Sequence, residues 1–66
     1  PNPVKDVLTV SSGKKVNSIF VYNAAGQLVK TSQDTDTIDM SLLPAGVYVI
    51  KTDVEGKTES TKVIKK

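Results

Sequence analysis

Apolar residues in this chain fall in short runs with a two-residue alternation, and nowhere with the three- and four-residue spacing of an amphipathic helix. Turn signals break the runs about every ten residues: Ser11-Ser12-Gly13, Asn23-Ala24-Ala25-Gly26, Pro44-Ala45-Gly46 and Glu55-Gly56. A chain patterned this way buries apolar surface only by stacking strands. It is too short for more than one small domain, at 66 residues.

The strands can be placed in order. Pro1-Asn2-Pro3 is an extended entry, because each proline fixes its own φ and keeps the preceding residue out of the helical region. Val4 to Val10 reads as a strand with Leu8 and Val10 on one face, and Ser11 to Lys15 as the turn after it. Val16 to Tyr22 is a second strand, with Ile19 and Val21 opposite Phe20 and Tyr22; apolar residues on both faces predict an interior position. Gly26 supplies the positive φ of the next turn, and Gln27 to Thr31 returns as a third strand. Ser32 to Thr37 is polar and reads as a loop, and Thr37 to Met40 as a short β-prone piece. In Ser41-Leu42-Leu43-Pro44-Ala45-Gly46, one of the two leucines can plug the end of the core, while Pro44 and Gly46 shape the turn.

Val47 to Val54 is the strongest strand, since its first four residues are apolar and three of them β-branched. A two-residue turn at Glu55-Gly56 would pair Val54 with Lys57, Ile50 with Thr61 and Tyr48 with Val63. A three-residue loop would set Tyr48 against Lys62 and scatter the apolar positions. The first register is preferred because it gathers Tyr48, Ile50 and Val63 on one face, although Glu is a poor residue for such a turn. Six to seven short strands predict an all-β fold, a small immunoglobulin-like antiparallel β-sandwich without the Cys-Trp-Cys core of antibody domains.

Composition removes whole classes of chemistry. There is no cysteine or histidine, which excludes thiolate zinc sites, thiol nucleophiles and Ser-His-Asp relays. The net charge of +2 comes from nine lysines and no arginine, which speaks against bidentate reading of phosphates or guanine; no nucleic-acid partner is expected. No apolar run reaches the ~18 residues that a membrane-spanning helix needs, so membrane insertion is not expected. Asp34, Asp36 and Asp39 form the one cluster that could hold calcium, but the segment lacks the Gly and distal Glu of an EF-hand loop and reads as turn-forming. No Ser lies in a nucleophile elbow, and no cofactor, metal or catalytic residue is assigned. Phe20, Tyr22 and Tyr48 are the only aromatics, with Tyr48 expected in the core and Tyr22 near a turn.

Ordered along the chain, these residues resemble a known family. Pro1-Asn2-Pro3 opens the pattern, then Ile19-Phe20-Val21-Tyr22-Asn23 with Gly26 and Leu28-Val29, then Ile38-Asp39, Ser41, Leu43-Pro44, Gly46, Tyr48 and Lys51, and a basic strand closing at Lys66. Together they resemble the type A C-terminal sorting domain of proteins exported by the type IX (Por) secretion system of Gram-negative bacteria. The resemblance implies that residues 1–66 are one sorting domain of a larger secreted protein. It further implies export through the periplasm and an outer-membrane translocon with its shuttle components, to the cell surface or beyond. A surface sortase-like peptidase would usually remove the domain. Pro1, Asn2, Pro3, Gly26, Leu43 and Pro44 would be motif or structural positions; Gly46, Tyr48, Lys62, Val63, Ile64, Lys65 and Lys66 would carry recognition, through a terminal strand that offers backbone groups to a partner. Edge strands could also pair two copies of an isolated domain.

The competing expectations are a non-catalytic accessory or carbohydrate-binding module of a secreted enzyme, and a repeat unit of an adhesin. The first requires exposed aromatic platforms; the second requires further copies of the same unit.

Overall fold

Among the described residues six strands carry the fold: β1 (Val7–Thr9), β2 (Val16–Tyr22), β3 (Leu28–Gln33), β4 (Thr37–Asp39), β5 (Gly46–Val54) and β6 (Lys57–Lys65). The computed structural model describes residues 6–10 and 13–66. The Pro1-Asn2-Pro3 entry, Val4 and Lys5 of the predicted Val4–Val10 strand and the Ser11-Ser12 start of its turn lie outside the described residues. The pairings among the described residues are antiparallel, in a four-stranded sheet of order β3-β2-β5-β6 and a two-stranded sheet of β1 and β4. The small sheet lies over one face of the large one. Leu8, Ile38 and Met40 from its side pack with Val16, Ile19, Val21, Tyr48, Ile50, Val54 and Val63 in a single core. This is the predicted small β-sandwich, with its second layer reduced to two three-residue strands.

β2 occupies the predicted residues and sits inside the sheet, with Ile19 and Val21 fully buried and Phe20 and Tyr22 half-buried on the opposite face. The turn after it closes through Gly26 N–H donating to Asn23 O at 3.0 Å, and the Asn23 side chain accepts from the amides of Ala25 and Gln27. Gly26 takes φ 81° there, a left-handed conformation that glycine adopts without steric cost.

β3 differs from the sequence expectation. It runs from Leu28 to Gln33 instead of Gln27 to Thr31, because Ser32 and Gln33 pair with Ile19 and Ser18. Their polar side chains suit a strand at the end of the sheet, where one side needs no apolar partner. Gln27 is drawn into the turn instead. The chain then bends at Asp34, whose amide donates to Asn17 O at 2.8 Å with φ 56°. β1 is the short remainder of the predicted first strand, and Val10 continues its pairing by donating to Asp36 O at 2.7 Å.

The terminal hairpin has the expected two-residue register, with Val54 opposite Lys57, Ile50 opposite Thr61 and Tyr48 opposite Val63. Glu55 and Gly56 both take positive φ, 51° and 79°. Two successive left-handed residues are what a type I′ turn demands, and they match the twist of the flanking strands. A glutamate held there costs about 1–2 kcal/mol of backbone strain. Its ion pair with Lys14, 3.8 Å long and well exposed, returns little. Glu55→Asn should therefore raise stability by about 0.5–1 kcal/mol, read as a melting point higher by a few degrees in a thermal scan. An unchanged or lower melting point would contradict the strain assignment.

Candidate functional site

The residues singled out for recognition lie on and beside β6, and strand alternation decides what each can do. Val63 faces the core and is buried, opposite Tyr48. Lys65 faces the same way and is 8% exposed. Its aliphatic stem packs inward, while Nζ donates to Lys66 O at 3.3 Å, so the charge reaches a carbonyl at the end of the chain. Tyr48 is buried, and its hydroxyl donates to Pro44 O at 2.6 Å. That bond, from a buried tyrosine to a backbone carbonyl four residues upstream, is the tyrosine corner of immunoglobulin-like sandwiches. It ties the Ser41–Ala45 connection to the start of β5. Gly46 opens β5 opposite Lys65 and is half-buried.

Lys62, Ile64 and Lys66 are exposed. Of the seven recognition candidates, these three are the exposed ones, Gly46 is half-buried, and Tyr48, Val63 and Lys65 are buried on the core side.

The connection before β5 resolves the choice between the two leucines. Leu43 packs against the core, and Leu42 is 91% exposed. Asp39 fastens the start of this connection. Its Oδ1 accepts from the Ser41 amide at 2.9 Å. The Ser41 side chain first, then that amide, and also the charge of Lys30 hold the Asp39 carboxyl below the usual carboxylate range. A lowered folded pKa means the contribution is present above the unfolded value and is lost as pH falls through the folded one. The bonds of Asp34 and Asp36 are backbone ones, the Asp34 amide donating to Asn17 O and the Val10 amide to Asp36 O, and no group of three metal-ligating side chains occurs among the described residues.

Beyond β6, cross-strand pairing extends its outward row over the whole sheet. Lys62 stands opposite Val49, Val49 opposite Tyr22, and Tyr22 opposite Leu28. Ile64 stands opposite Val47. In the next row Ser60 faces Lys51, Lys51 faces Phe20, and Phe20 faces Thr31. Lys51 Nζ lies 5.2 Å from the centroid of the Tyr22 ring, within cation–π range. The sequence reading missed this continuity. The β5–β6 register already places Val49 beside Lys62, but the Val49–Tyr22 contact depends on pairing β2 with β5, and no local pattern states that pairing.

A family model described as the secretion system C-terminal sorting domain matches residues 1–66. No curated protein matches the chain.

Proposed function

We propose, for a chain that belongs to the family of secretion system C-terminal sorting domains, that it is the address its parent protein presents to the type IX outer-membrane translocon and shuttle components. Residues 1–66 act as one domain that is substrate and signal, not catalyst. The parent reaches the translocon through the periplasm of a Gram-negative cell. A sortase-like peptidase at the surface then detaches the domain and leaves the parent on the cell or outside it.

The observation that carries the recognition step is the division of labour along β6. Its inward residues Val63 and Lys65 anchor the strand in the sandwich, and Lys62 and Ile64, with Lys66 after them, stand outward. The partner then meets a strand fixed in register by nine paired residues of β5, which lowers the ordering cost of binding. Against the carbohydrate-binding alternative, Tyr48 is in the core, Phe20 and Tyr22 are half-buried, and Lys51 stands over the Tyr22 ring.

The test is removal of residues 1–66 from the full-length parent, followed by fractionation of periplasm, cell surface and medium. The parent should accumulate in the periplasm. Unchanged arrival at the surface or in the medium would refute the assignment.

A further inference from the structure

We draw no further inference here: the strongest candidate, the apolar tip that Leu42 and Pro44 expose between β4 and β5, carries nothing because nothing in the structure shows what covers it.

Discussion

Val63→Asp should unfold the domain, and Ile64→Asp, one residue further on, should leave it folded and stop export of the parent. The two positions differ only in the direction their side chains point. Val63 is 2% exposed and packed opposite Tyr48. A carboxylate there has no hydrogen-bonding partner in an apolar core, and burying it costs several kcal/mol. A domain of this size has about 3–10 kcal/mol in total to lose. Ile64 stands outward opposite Val47, where a polar replacement costs about 1 kcal/mol or less. Circular dichroism of the purified domain reads the fold, and fractionation of cells producing the full-length parent reads export. Normal export of the Ile64→Asp protein would remove the outward row of β6 from recognition. Unfolding by both substitutions would show that β6 is held by more than its inward residues.

Much of this arrangement was legible in the residues. The two-residue turn at Glu55-Gly56 followed from how each register sorted Tyr48, Ile50 and Val63, and the structure adopts it with both turn residues at positive φ. The limits of β2 and the opposed roles of Ile19 and Phe20 followed from alternation alone. What escaped the reading shares one physical origin. The end of β3 escaped because Ser32 and Gln33 are held by backbone pairing with β2, which leaves no mark on side-chain polarity. Lys65 escaped because a lysine can bury its stem and still deliver its charge to a carbonyl. The outward rows escaped because they join strands distant in sequence, and residues 22, 28, 49 and 62 become neighbours only through the β2–β3, β2–β5 and β5–β6 registers taken together. Local chemistry shows which way a side chain points on its own strand; assembly shows what stands beside it.

Ile19→Ala should lower the melting point by about 8–40 °C, and its effect on export tells whether the address is read folded or as a linear segment. Ile19 is fully buried at the middle of β2, between Ser32 on one side and Thr52 on the other, so truncation leaves a cavity with little room to collapse. Such a change costs about 2–5 kcal/mol, and each kcal/mol moves the midpoint of a domain this small by about 4–8 °C. The substitution touches none of Lys62, Ile64 or Lys66, and Ile19 points to the core, away from the outward rows of the sheet. If the translocon recognises the folded strand, export of the Ile19→Ala parent should fall at high growth temperature and recover on cooling, following the folded fraction measured by thermal scan. A linear signal would be read equally well at every temperature, because β6 keeps its sequence when the sandwich melts. Temperature-independent export of the variant would therefore refute folded-state recognition while leaving the sorting function in place. Recovery on cooling would tie the address to the register that β5 imposes on β6, since that register divides the inward side chains from the outward ones.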